Sequence, residues 1–273
     1  MARNTHFVRS SVHSPVHAFV HKKAIEDGAL VLLAEYGRKY HVVIQPPVPV
    51  EGIIEAHLGL TFDIEDLPRL LNVRDVLGAT WFRSREVKID QSLDPTVFPS
   101  KLGRYRFTVA HEIGHWELHR QRYLSVEGQA AMFAGEDRPV VCRSNDRSPL
   151  EWQADCFAGY LLMPKEMVYA QWESIYGSRE PYVAADEIAD LKARWGLGID
   201  ERPTVEAARQ LAPVFEVTLC KTPSITHSSQ AQCFDCATGL RVSGIGTDKR
   251  SIDNREPAMT ATVFPTGSFQ RNE

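Results

Sequence analysis

No stretch of the sequence narrows the possible folds as much as Arg104 to His119, which reads Arg-Tyr-Arg-Phe-Thr-Val-Ala-His-Glu-Ile-Gly-His-Trp-Glu-Leu-His. It contains His111-Glu112-Ile113-Gly114-His115, an H-E-x-x-H pattern. On a helix, residues four apart lie one above the other on the same face. His111 and His115 can therefore aim both imidazoles at one ion, and Glu112 can reach a water on that ion and take its proton. Apolar Phe107, Val109, Ala110, Ile113, Trp116 and Leu118 surround these polar residues. A helix over Arg106–His119 of this composition has to be covered by protein.

A catalytic zinc usually has three protein ligands and one open position. The third ligand should come from another element as a His, Glu or Asp. A second helix is expected over Pro149–Pro164, where Trp152, Ala154, Phe157, Ala158, Leu161 and Leu162 recur at helical spacing and Met163-Pro164 stops it. Glu151 at its start is the best third ligand. Asp155, one turn later on the same face, suits a supporting role, accepting the free ring N–H of a ligand histidine. His119 extends the ladder 111, 115, 119, but the long three-histidine motif would need Gly at 118 and His at 121, where this chain has Leu118 and Gln121. His119 is expected beside the ligands, and with Tyr123 it is a candidate for contacting a substrate or an oxyanion. Two histidines and one carboxylate suit zinc and would also accept manganese or iron.

The rest of the chain frames this site. Residues 1–22 are polar and carry scattered histidines, which reads as a disordered tail. Helices are expected over Lys23–Tyr40 and Val50–Leu58 with a proline-rich linker between them, and strands over Ala79–Phe82 and Val87–Asp90. The polar stretch from Gln121 to Pro149 reads as a long connection with a short helix near Val126–Phe133. Further helices are expected over Lys165–Tyr176, Val183–Trp195 and Thr204–Phe215, with Pro213 awkwardly inside the last. From Leu219 to Glu273 no period of either kind persists, and the segment reads as irregular or disordered. The fold class is thus α+β, mainly helical, with a small mixed sheet beside the H-E-x-x-H helix. The units are a tail (1–22), a domain built around the H-E-x-x-H helix (23–200), the start of a helical extension (201–218) and a C-terminal tail (219–273).

Composition removes some classes of function. A net charge of −4 and a pI near 6.2 supply no basic surface for nucleic acid, so direct nucleic-acid binding is not expected. Five cysteines at irregular spacings make no disulfide framework. The lone Cys233-Phe-Asp-Cys236 pair lacks a second pair at zinc-knuckle spacing. No run approaches membrane-span length and no secretory signal opens the chain, so a cytoplasmic protein is expected.

The two motifs together, Arg106–His119 and Glu151-Trp-Gln-Ala-Asp-Cys-Phe-Ala-Gly-Tyr-Leu-Leu-Met-Pro164, resemble the ImmA/IrrE family of metallopeptidases. Pro47-Val-Pro-Val-Glu51, Val76-Leu-Gly-Ala79 and Ile89-Asp90 agree with it, so that the resemblance spans about 29–195. It implies a zincin-like zinc peptidase with His111, His115 and Glu151 as ligands and Glu112 as general base. The substrate it implies is a helix-turn-helix repressor, encoded nearby and cut to release its genes in stress responses or mobile-element induction. The competing reading is a transcriptional regulator or toxin–antitoxin component whose metal site is structural or vestigial.

Overall fold

Helix α1 (Lys22–Lys39) opens the fold with one buried stripe of Ile25, Ala29, Leu32, Leu33 and Tyr36. The computed structural model describes residues 20–124, 139–143, 148–179, 182–183, 185–198, 203–218, 241–242 and 262–264. The expected tail before residue 20, the expected helix at 126–133 and most of 219–273 lie outside the described residues.

After the proline linker, helix α2 (Val50–Gly52) continues as a π-helical turn over Ile53–His57, with the Leu58 N–H donating to the Ile53 carbonyl at 2.9 Å. The helix expected here is present but widens past its first turn. Strand β1 (Thr61–Glu65) follows. Helix α3 (Leu67–Leu71) is capped by Asp66, which accepts from the Arg69 N–H, and ended by left-handed Asn72. Strands β2 (Val76–Trp81) and β3 (Glu86–Asp90) come next, and β4 (Val140–Arg143) completes a four-stranded sheet in the order β1-β3-β2-β4. β1 pairs parallel with β3 and the other pairs are antiparallel, so the sheet is mixed.

Two strands of this sheet escape a sequence reading. β1 is short, and β4 is four residues inside a polar stretch; each becomes a strand because a neighbour offers an unpaired edge. On β4, Val140, Val141 and Cys142 pair with Thr80, Ala79 and Gly78 of β2.

Helix α4 (Leu102–Leu124) runs along one face of the sheet and exceeds its expected length at both ends. A 3₁₀ turn at Pro99–Lys101 feeds its start. At its end Arg120 pairs with Glu117 at 3.0 Å, and Tyr123 stacks on Phe82 with ring centroids 4.8 Å apart. This local pair and the tertiary stack carry the helix beyond its apolar pattern. Helices α5 (Pro149–Leu162), α6 (Lys165–Tyr176), α7 (Ala185–Trp195) and α8 (Glu206–Val214) follow. Pro213 is tolerated because α8 ends one residue later, with Glu216 in the left-handed region at φ 52°. Short strands β5 (Tyr182–Val183), β6 (Arg241–Val242) and β7 (Thr262–Phe264) form a second sheet in the order β5-β7-β6, so part of the stretch expected to be irregular is paired.

The architecture is α+β and mainly helical, with the mixed sheet beside α4, as expected. α4 and α5 cross where Gly114 has no side chain: a Cβ there would stand 3.0 Å from the Ala154 carbonyl oxygen and 3.1 Å from Phe157 Cβ. This close approach brings the polar faces of the two helices into register. α1 covers α5 from outside, Gly28 lying against Phe157. One core joins Ile25, Leu32, Ile53, Ile113, Phe157 and Trp172 with Leu211 and Phe215, so the packing continues through α8. Buried Arg106 ties the layers together, donating to the Val48 carbonyl and pairing with Glu216 at 3.4 Å. Among the described residues no helix is long and apolar enough to cross a membrane.

At Gly103, in the first turn of α4, a Cβ would come within 2.6 Å of the Thr218 backbone nitrogen and 2.8 Å of the Val217 carbonyl carbon. These neighbours are backbone and cannot rotate away. Gly103→Ala is expected to destabilise by about 1–3 kcal/mol through overpacking, read as a lower thermal midpoint. An unchanged midpoint would mean that 217–218 does not rest on α4.

Candidate metal centre

The second helix is positioned first by its own start. Ser148 caps α5 by accepting from the Glu151 N–H at 3.3 Å, and Pro149 occupies the first turn. Ser148-Pro-Leu-Glu151 has the form of a capping box, in which the glutamate usually reaches back to the cap. Here the Glu151 carboxylate turns to α4 instead. Its Oε2 lies 3.1 Å from His111 Nε2 and its Oε1 3.1 Å from His115 Nε2. The two histidine nitrogens are 2.9 Å apart. Three side chains from two helices thus converge on one point, and all are buried.

A chain of partners sets the direction of each ring. His111 Nδ1 lies 2.9 Å from Asp155 Oδ1, so it donates there and directs Nε2 inward. Behind His115 the order is His115 Nδ1, His119 Nδ1 at 3.0 Å, then His119 Nε2 to Gln153 Oε1 at 3.2 Å. An amide oxygen only accepts, so the His119 Nε2–H donates to Gln153. The His119 Nδ1 must then accept from the His115 Nδ1–H, which leaves the inward Nε2 of His115 with a lone pair. These tautomers are assigned from the hydrogen-bond network. Burial, with His115 adding to it, pulls His119 down to about 4, which keeps it in the neutral form that this chain requires.

Charge follows the same geometry. Burial works to lower the basicity of His111, but Cys142, Asp155 and Glu151 outweigh it and hold the imidazole well above its ordinary range. Burial likewise opposes ionisation of Glu151, yet His111 and His115 beside it hold its carboxyl well below the usual carboxylate range. The site is therefore arranged around a positive charge at the meeting point of the three side chains. Two donors each about 2.1 Å from one tetrahedral ion would stand roughly 3.4 Å apart, so the observed separations admit a divalent cation after a shift of under about half an ångström.

Glu112 stands beside this point, fully buried under β2. Its Oε2 accepts from the Thr80 hydroxyl at 2.6 Å, and its Oε1 has no hydrogen-bond partner. Burial raises its carboxyl, with His115, His111 and Thr80 opposing. Gly78 and Thr80 lie two apart on one face of β2, toward α4. A Cβ on Gly78 would collide with Glu112 Oε1, so the glutamate fits only because residue 78 has no side chain.

Residues 100–201 match the family profile described as the IrrE N-terminal-like domain, peptidase family M78. The chain carries an M78 peptidase domain. Curated proteins provide no match to the chain. The matched stretch of the M78 domain takes in α4, β4 and α5–α7, with His111, Glu112, His115 and Glu151 among its residues. β1–β3, which bring Gly78 and Thr80 to Glu112, precede it.

Of the residues singled out from the sequence, His111, His115, Glu151, Glu112 and Asp155 lie together. His119 is buried with both ring nitrogens engaged. Tyr123 is half-buried in its stack on Phe82, with its hydroxyl raised by burial. Sequence reasoning missed Thr80, Gly78, Gln153 and Cys142. Gln153 lies on α5 between Glu151 and Asp155, and an inward polar residue on an otherwise apolar helix was the one available sign. The other three come from the sheet and carried none.

Proposed function

We propose that the chain is a zinc-dependent endopeptidase that cuts a helix-turn-helix repressor at one site. The observation that carries the peptidase reading is the convergence of His111 Nε2, His115 Nε2 and the Glu151 carboxylate, no pair more than 3.1 Å apart, beside the unpartnered Oε1 of Glu112. His111, His115 and Glu151 would hold the metal. When bound, a divalent ion polarises the scissile carbonyl and makes an attacking water more acidic. Glu112 supplies the base: Thr80 holds one carboxylate oxygen, and the other is free to take the water proton and pass it to the leaving amine. Burial, by raising the Glu112 carboxyl, brings its basicity nearer to that task. Asp155 and the His119–Gln153 pair orient the two imidazoles. A structural metal site would need no buried carboxylate of this kind, which favours the enzyme over a regulator with a vestigial site.

The repressor substrate rests on the resemblance to ImmA/IrrE proteins. The test is to incubate zinc-loaded protein with helix-turn-helix proteins encoded beside it. The expected result is one cut in one of them, lost in Glu112→Gln, with unfolded casein left intact. Cleavage by Glu112→Gln at the parent rate would overturn the peptidase assignment, and broad casein digestion would overturn the single-substrate reading. Asp155→Ala is expected to weaken zinc binding about 10- to 100-fold, read by competition with a chromogenic chelator. Unchanged affinity would remove Asp155 from the support of His111.

A further inference from the structure

Cys142 sits where neither the motif nor the peptidase chemistry requires a cysteine. It lies on β4 directly across from Gly78 of β2, and facing residues of paired strands point to the same side. Gly78 lies over Glu112, so this side is the one turned to α4 and the site. His111, Cys142 and Glu151 offer three donor atoms within 4.8 Å of one another, a group that does not take in His115. Glu112 Oε1, buried and unpartnered, lies against Gly78, the residue across from Cys142.

We propose that Cys142 is a fourth ligand of the metal, its thiolate alternating with water at the position that hydrolysis needs open. This rests on the reading of His111, His115 and Glu151 as the metal-binding set. The chemistry is that of a soft sulfur donor beside two imidazoles and a carboxylate, a set that suits zinc. As the sulfur binds, the thiol proton passes to solvent. Four protein donors make a closed site, and three with a vacant position make a catalytic one. Cys142 therefore sets how much of the metal-loaded protein is open. β4 is an edge strand, so the sulfur sits on an element bonded to one neighbouring strand alone.

Cobalt substitution of the full chain tests this without a substrate. Cobalt-loaded wild type is expected to show an intense near-ultraviolet thiolate-to-cobalt band, and visible cobalt bands that change only at azide concentrations well above those that change the variants. Cys142→Ala and Cys142→Ser are expected to keep the visible bands, lose the charge-transfer band, and respond to azide because the fourth position is open. The remaining cysteines are present in all three proteins and serve as the internal control. A charge-transfer band absent from cobalt-loaded wild type, or equally strong in both variants, would overturn the assignment while leaving the metal centre standing. Failure of wild type to take up cobalt at all, or retention of the visible bands by His111→Ala, would overturn the metal centre itself and the proposal with it.

Discussion

Gly78→Ala is expected to cut peptide hydrolysis by roughly 10²- to 10⁴-fold, the usual contribution of a positioned general base, while metal content and fold are kept. The added methyl would meet Glu112 Oε1 and come within 2.9 Å of Thr108 Cγ2. Glu112 is the end of a flexible side chain, so the protein can relieve the collision by turning the carboxylate away. The cost in stability is then small, and the loss falls on catalysis. Neither His111 nor His115 is among the atoms the methyl meets first, so zinc should remain bound. The measurement is kcat on the cleaved substrate beside zinc content and thermal midpoint. A variant that keeps zinc and hydrolyses at the parent rate would show that Glu112 does not work from its position under β2.

The second large effect is expected at Glu151. In the parent chain, zinc at about 100 times its Kd is expected to stabilise the folded state by about 2.7 kcal/mol. Glu151→Gln is expected to abolish this shift and leave the purified protein without metal. The Gln side chain has the same length, and the Ser148 cap uses the backbone N–H of residue 151, so α5 should still form. What is removed is, among the described residues, the only carboxylate that touches both inward histidine nitrogens. Thermal scans with and without zinc read the effect. A variant that gains as much from zinc as the parent would exclude Glu151 as a ligand.

The two helices of the site were legible because their signals are local. His111, Glu112 and His115 share a face by helical period alone, and Glu151 and Asp155 do so on α5. Ser148-Pro and Met163-Pro164 bracket α5 in the chain itself. The extra length of α4 was not legible, because it depends on Tyr123 reaching Phe82, a contact across 41 positions of sequence. β1 and β4 were missed for a related reason. Each owes its identity as a strand to the edge it joins.

The same division applies to the chemistry. The sequence alone determined the donor types, their helical spacing and the presence of a carboxylate beside the first histidine, since all of these lie within one or two turns of a helix. Only the tertiary structure decided what surrounds them. The crossing at Gly114 brings Glu151 to the two histidines, and His119 is directed away from the inward point toward Gln153. The sheet lays Gly78, Thr80 and Cys142 over Glu112 and His111. These neighbours are separated by tens of residues, and their proximity follows from how helices and strands pack rather than from any period along the chain.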